Sequence, residues 1–225
     1  MSDLKRRSLI SLAKFQLGMA VLLFLPAWSL HYWQAWLYWV QYGVTTTATT
    51  VYFLEHDPKV VERRLAVGPK AETEPTQKII MTVVSACFVL LIVIPGLDHH
   101  FHWSDVPAWL AIAGEAGVLL GFAIIFVVAK ENSFAAATIR VESEQPVIST
   151  GPYAIVRHPM YSGGLVMLGL TPLALGSYWG LLMIVPTFFG LAWRLLDEER
   201  YLSRNLPGYA EYCVRTRYRL IPLIW

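Results

Sequence analysis

The chain has 225 residues, 56% of them apolar and 15% charged, where a soluble domain carries about 45–50% and about 25%. Its formal net charge is +2, from 18 basic and 16 acidic residues. Those basic residues are sorted along the chain rather than massed, so charge gives no argument for nucleic-acid binding.

Six apolar segments occur, at 15–33, 35–54, 79–97, 107–129, 160–176 and 178–196. Each runs for about 17–23 residues, close to the ~20 a helix needs to cross the hydrocarbon. The first follows MSDLKRR but runs on into LHYWQAWLYW and lacks a small-residue cleavage pattern. It is expected to persist as a helix, with Trp28, Tyr32, Trp33 and Trp36 at a bilayer interface. Between the second and third segments, EHDPKVVERRLAVGPKAETEPTQK (55–78) offers a short amphipathic turn at Val60, Val61 and Leu65. It is expected to lie along the headgroups with Arg63 and Arg64 on anionic lipid.

The third segment ends in DHHFH (98–102), whose histidines lack the spacing of a preformed zinc site and are expected to be interfacial. In the fourth, Glu115 stands between Gly114 and Gly117. A charge at that depth marks either function or a close helix contact with a hydrogen bond. The 130–159 connection is too long for a hairpin. Its Phe134, Ile139, Val141, Val147, Ile148 and Tyr153 call for burial, which predicts an ordered loop under the helices. The fifth segment is interrupted by Gly163, Gly164, Gly169 and Pro172. Beyond the sixth, an amphipathic helix is expected over about 209–217, with Tyr209, Tyr212 and Cys213 on one face. Cys213 and Cys87, which lies mid-span, suggest neither a disulfide nor a metal framework.

All 18 lysines and arginines fall at the N-terminus, in 55–78, in 130–159, or at and beyond the end of the last segment. The alternate connections near 31–36, 98–106 and 176–178 have none. That alternation places both termini in the cytoplasm. The expected fold is therefore all-α, a polytopic membrane bundle of about six transmembrane helices. An ordered cytoplasmic loop precedes the fifth helix, and residues 1–225 form one integral-membrane domain.

The polar chemistry gathers in GPYAIVRHPMYSG (151–163). Pro159 suits the first position of a helix, and His158 before it is biased towards an extended cap. Amides of Met160, Tyr161 and Ser162 then begin a helix, an arrangement that favours an anionic group. Tyr153 and Tyr161 add aromatic faces that suit an adenine ring or a sulfonium. On the last helix, Arg194 and Glu198 are four apart and share a face, which by itself is a surface ion pair.

Together, GPY-x3-RHP-x-Y-x-G, then R-x3-EE-x2-L and PGYAEY, preceded by NSFAAATIRVESEQPVIST, resemble the integral-membrane methyltransferases related to isoprenylcysteine carboxyl methyltransferase. The likeness covers roughly residues 131–219. It implies S-adenosyl-L-methionine as cofactor, held by the loop, helical hairpin and C-terminal helix within 130–225, with 1–129 supplying the N-terminal helices. By position, the cofactor contacts would be Gln145, Pro146, Val147, Ile148, Tyr153, His158, Pro159, Met160, Tyr161 and Glu198. Arg194 is the catalytic candidate and would face the methyl acceptor, which in the eukaryotic enzymes is a prenylated cysteine carboxylate. The resemblance thus predicts a lipophilic, lipid or prenylated substrate at the cytoplasmic face of the inner membrane, with no metal.

The residues themselves contain no Rossmann-type glycine loop, so a bound cofactor must be held by the membrane helices. His158 or Glu199 would serve as base if the acceptor were a thiol or amine. Two other classes remain open: a sterol-reductase-like enzyme using NAD(P)H, and a non-catalytic transporter or scaffold.

Overall fold

The computed structural model describes residues 2–65, 68–72, 74–134, 138–139, 141–142 and 145–225. Parts of two expected segments, Ala66, Val67 and Thr73 of the 55–78 connection and Ala135–Ala137, Arg140, Ser143 and Glu144 of the 130–159 loop, lie outside the described residues.

Eight α-helices form, with no strand among the described residues. They are α1 (Ser2–Ala27), α2 (Trp33–His56), α3 (Pro58–Leu65), α4 (Pro75–Phe101), α5 (Ala108–Glu131), α6 (Pro159–Ala174), α7 (Ile184–Asn205) and α8 (Tyr209–Arg215). Proline opens α4 and α6, where its missing N–H costs nothing. Gly176 ends the α6 run with φ of 71°, and Gly208, with φ of 83°, turns the chain into α8. The C-terminal helix thus appears where Pro207–Gly208 predicted it, over Tyr209–Arg215, with Tyr209 and Tyr212 buried and Cys213 half-buried.

All six apolar segments lie mostly or wholly in helix, but not all make candidate spans. Among the described residues, four helical runs are long and apolar enough to cross a membrane: Asp3–Ala27, Pro75–Phe101, Ala108–Glu131 and Trp179–Asn205. The 24-residue α2 is diluted by Gln34, Gln41 and a run of threonines, whose hydroxyls Thr45 and Thr46 turn back to carbonyls of Gln41 and Tyr42. The 16-residue α6 is short, stopped soon after Pro172. Leu17, Leu25, Val44, Leu120 and Phe189 stand exposed around the outside, an apolar belt that water would not tolerate. The chain reads as a membrane protein.

Helix α5 packs on α6 almost backbone to backbone. A methyl group added at Gly114 would lie 2.5 Å from the Ala174 nitrogen, and one at Gly121 2.7 Å from that of Met167. Small residues permit this approach where lipid offers no hydrophobic drive between helices. Around the pair, Leu23, Tyr38, Ile92 and Val118 form the central core.

The bundle has two polar ends. At the basic end, Leu4, Phe53, Leu54, Val60, Val61, Ala129 and Met160 cluster, which gathers the start of α1, the end of α2, α3, the end of α5 and the start of α6. At the opposite end, the Tyr32 hydroxyl donates to the Leu175 carbonyl at 2.5 Å. His99 stacks on Tyr32 with ring centroids 4.1 Å apart, and His100 meets the Trp28 ring edge-on. His99 and His100 are packing groups there, while His102 is exposed at the end of α4.

Glu115 is buried in α5, and its backbone carbonyl accepts a bond from Gln41 Nε2 at 3.1 Å. The interhelical hydrogen bond expected of the Glu115 carboxyl does not form: both of its oxygens are buried without a hydrogen-bond partner.

Candidate functional site

The site grows from the start of α6. His158 caps the helix with φ −125° and ψ 60°, short of the extended region expected of it, and Pro159 begins the helix. The C-terminal segment runs across this start as a strap. Arg157 N donates to Tyr218 O at 2.8 Å, His158 N to Arg219 O at 2.9 Å, and Ser162 Oγ to Leu220 O at 2.7 Å. The strap satisfies groups that a helix start leaves unpaired, and it fixes where the His158 ring projects.

Glu199 of α7 holds the same corner. Its Oε1 lies 2.8 Å from Arg157 Nε and 3.2 Å from His158 Nε2, and its Oε2 accepts from Arg219 Nε at 2.9 Å. One largely buried carboxylate thus joins the α6 start, α7 and the strap. Truncating such a partner strands buried charge, at a cost of about 3–5 kcal/mol.

One turn earlier on α7, a second relay crosses the helices. Tyr161 OH donates to Glu198 Oε2 at 2.6 Å and accepts from Arg194 Nε at 3.1 Å. The surface ion pair expected of Arg194 and Glu198 is corrected here: the Tyr161 phenol stands between them, and Arg194 is buried. Arg194 NH1 lies 2.8 Å from Glu72 Oε1 and donates to Gln77 Oε1 at 3.0 Å.

The 130–159 loop is pinned from α3. Arg63 forks onto Glu142 with bonds of 2.9 and 2.7 Å, donates to Ser133 O at 2.7 Å, and sits 4.6 Å over the Phe134 ring. Asp57 accepts a further bond from Ser133 Oγ. Arg64 NH2 lies 3.0 Å from Met160 Sδ. The placement of Arg63 and Arg64 on headgroups is therefore wrong. Val60 and Val61 turn α3 inward, where Glu142 and the Ser133 carbonyl meet Arg63 and the Met160 sulfur meets Arg64.

These pieces enclose one cavity of about 500 Å³. It is lined by Gln145, Pro146, Val147, Ile148 and Tyr153 of the loop, His158, Met160 and Tyr161 of α6, and Arg194 and Glu198 of α7. Of the residues the sequence singled out, Pro159 does not line it. Its work is to start the helix. Sequence reasoning missed Arg64 and Asn132 as lining groups; Gly164 of α6 and Tyr209 and Tyr212 of α8 line it too. A Cβ on Gly164 would meet nothing within 4 Å, whereas one on Gly163 would press into Ile124 and Ile125 of α5. Asn132 Nδ2 donates to the Tyr153 hydroxyl at 3.0 Å, and Tyr212 OH donates to the Tyr153 carbonyl at 2.7 Å. Burial pushes the Tyr153 phenol up from 10.0 to about 12, so it faces the cavity as a neutral donor.

Parts that share one cavity and come from 145–161 and 194–198 are what the motif pattern required. Residues 109–207 match the family model for phospholipid methyltransferase. This family belongs to the integral-membrane methyltransferase group that includes the isoprenylcysteine methyltransferases, and its match supports methyl transfer at a membrane. The matched segment runs from α5 to just past the end of α7, so α3, Glu72, Gln77 and the C-terminal strap complete the site from outside it.

Two curated relatives are similar over part of their length. A Delta(14)-sterol reductase of Mus musculus is 32% identical over 95 residues, 39% of this chain and 22% of the reductase. A nickel-cobalt-cadmium resistance protein, NccN of Alcaligenes xylosoxydans xylosoxydans, is 30% identical over 133 residues, 57% of this chain and 58% of its own length. The chain thus spans about a fifth of the one and somewhat over half of the other.

Proposed function

We propose that this protein transfers a methyl group from S-adenosyl-L-methionine to a lipophilic, membrane-partitioned acceptor. In this reading the bundle crosses the inner membrane six times with both termini, and the cavity, on the cytoplasmic side. The observation that carries it is the convergence of the loop 145–153, the α6 start and Arg194–Glu198 on one cavity of about 500 Å³. That volume lies within the ~300–1,000 Å³ typical of small-molecule sites. The open space at Gly164 and the mixture of tyrosine, carboxylate and amide groups suit a nucleoside carrying a cation.

S-adenosylmethionine, when bound, supplies an electrophilic methyl on a sulfonium: the acceptor-to-carbon bond forms as the carbon-to-sulfur bond breaks, leaving a neutral thioether. The protein's part is positioning and electrostatic fit. Glu198, held by Tyr161, presents negative charge towards a cationic centre. Tyr153 offers a ring face and a neutral hydroxyl. His158, braced by Glu199, closes the wall beside the strap. Gly164, Met167 and Leu191 continue the cavity towards the apolar interior, where an acceptor's hydrocarbon would lie.

The sterol-reductase likeness supports a second reading, NAD(P)H-dependent reduction at the same cavity. Thermal shift of the purified protein separates the two: stabilisation by S-adenosylhomocysteine is expected, and stabilisation by NADPH alone would favour reduction. Radiolabelled methyl transfer into membrane extracts then identifies the acceptor, by whether the lipid-soluble label sits on an ester, a thioether or an amine. No incorporation by folded, cofactor-binding protein would count against the reaction.

A further inference from the structure

We infer that Glu72 is a specificity-determining residue, a built-in carboxylate that occupies Arg194 and keeps carboxylate acceptors out of the site. Glu72 comes from the connection between α3 and α4, outside the matched segment 109–207. Its side chain is 1% exposed, with Oε1 2.8 Å from Arg194 NH1. Its other oxygen accepts from the Ile139 amide at 3.2 Å, which locks the carboxylate in place.

A guanidinium grips a carboxylate through two parallel N–H bonds along one edge. Each of the two edges that include NH2 also needs NH1 or Nε. NH1 is engaged by Glu72 and Gln77, and Nε by the Tyr161 hydroxyl. Neither edge is open to a fork. Charge argues the same way, because Glu72 and Glu198 already flank this one arginine, Glu198 through Tyr161. A third carboxylate brought into so buried a place would meet two like charges and lose its own hydration. The site therefore takes a lipophilic acceptor whose reacting head is uncharged, such as an amine, which takes over the positive charge as the sulfonium loses it and then sheds a proton to solvent. That consequence rests on the methyl-transfer reading. The exclusion of carboxylates is a binding property and stands apart from it.

The test places the full chain in phosphatidylcholine nanodiscs with dodecanoate labelled with 13C at the carboxyl carbon. Dodecanoate in the bilayer gives a carboxyl resonance that titrates with pH, whereas a carboxylate paired with arginine gives a separate one that does not. The wild type is expected to show the bilayer signal alone. Glu72→Gln keeps the side chain's shape and should gain the bound resonance, at least tenfold tighter than wild type, and adding Arg194→Gln should abolish it. A bound resonance already present in the wild type, or none in folded Glu72→Gln, overturns the inference. Should Glu72→Gln fail to fold, Glu72→Asp, which keeps the charge but withdraws it, decides: a partial gain over wild type supports the inference and no gain overturns it. S-adenosylhomocysteine binding measured on the same samples reports on the methyl-transfer reading independently.

Discussion

The two ends of the bundle solve the same problem differently. At one, Asp98 is 1% exposed and accepts from Ser104 N at 2.7 Å, Ser104 Oγ at 2.6 Å and Ser177 Oγ. Ser177 Oγ in turn accepts from Gly180 N at 2.9 Å. These partners are neutral, belong to turns joining α4 to α5 and α6 to α7, and consume the carboxylate. At the other end, Glu199 meets two arginines and a histidine, and Glu198 meets a phenol beside a third arginine, around a cavity. A carboxylate saturated by turn groups tightens a fold. Carboxylates and cations arranged around space are arranged for something that enters it.

The comparison predicts which end governs stability and which governs binding. Asp98→Ala should have the largest effect on stability, because three donors lose their acceptor at ~1–3 kcal/mol for each one left unsatisfied. The melting midpoint should fall by at least about 6 °C, while S-adenosylhomocysteine affinity measured well below it stays within about twofold. A matching loss of affinity would break the distinction. Glu199→Gln should damage both properties, since it anchors α6, α7 and the strap together. A lowered midpoint with about a 10–100-fold weaker affinity is expected, measured by thermal denaturation and titration.

Smaller and purely local effects follow. Tyr161→Phe should weaken cofactor binding about tenfold, ~1.4 kcal/mol, with the midpoint lowered by roughly 2–6 °C as Arg194 Nε loses its acceptor. Arg63→Lys keeps the charge but loses the fork onto Glu142, so the KM for the cofactor should rise about threefold to fivefold with kcat little changed. The smallest effect concerns pH. A buried phenol whose folded value is raised favours folding below its unfolded value of 10.0, and that contribution is lost as pH rises towards about 12. Tyr153→Phe should therefore flatten part of the stability loss above pH 10, seen in chemical denaturation as a function of pH.

Much of this was legible in the sequence because it is written locally. Hydropathy marked the long helices, Pro159 the start of α6, Pro207–Gly208 the start of α8, and a thirteen-residue motif most of one cavity wall. What stayed hidden joins residues far apart. Arg63 and Glu142 are 79 positions apart, and Gln77 and Arg194 117. No periodicity announces such a pair. Local spacing even misled: four residues between Arg194 and Glu198 suggested a direct contact, and the hydroxyl that intervenes comes from another helix. Arg63 and Arg64 looked like headgroup contacts because composition reports charge but not the Glu142 carboxylate that meets Arg63 or the Met160 sulfur that meets Arg64. The strap left no local sign either, since it acts through main-chain carbonyls of Tyr218, Arg219 and Leu220.

The most direct measurement is calorimetric titration of S-adenosylhomocysteine into the purified wild type, Tyr161→Phe and Asp98→Ala proteins. A saturable heat with a micromolar-range Kd is predicted for the wild type, unchanged in Asp98→Ala and about tenfold weaker in Tyr161→Phe. Absence of binding by folded wild type, or equal affinity in the wild type and Tyr161→Phe, would contradict the assignment of the cavity at the basic end to the cofactor.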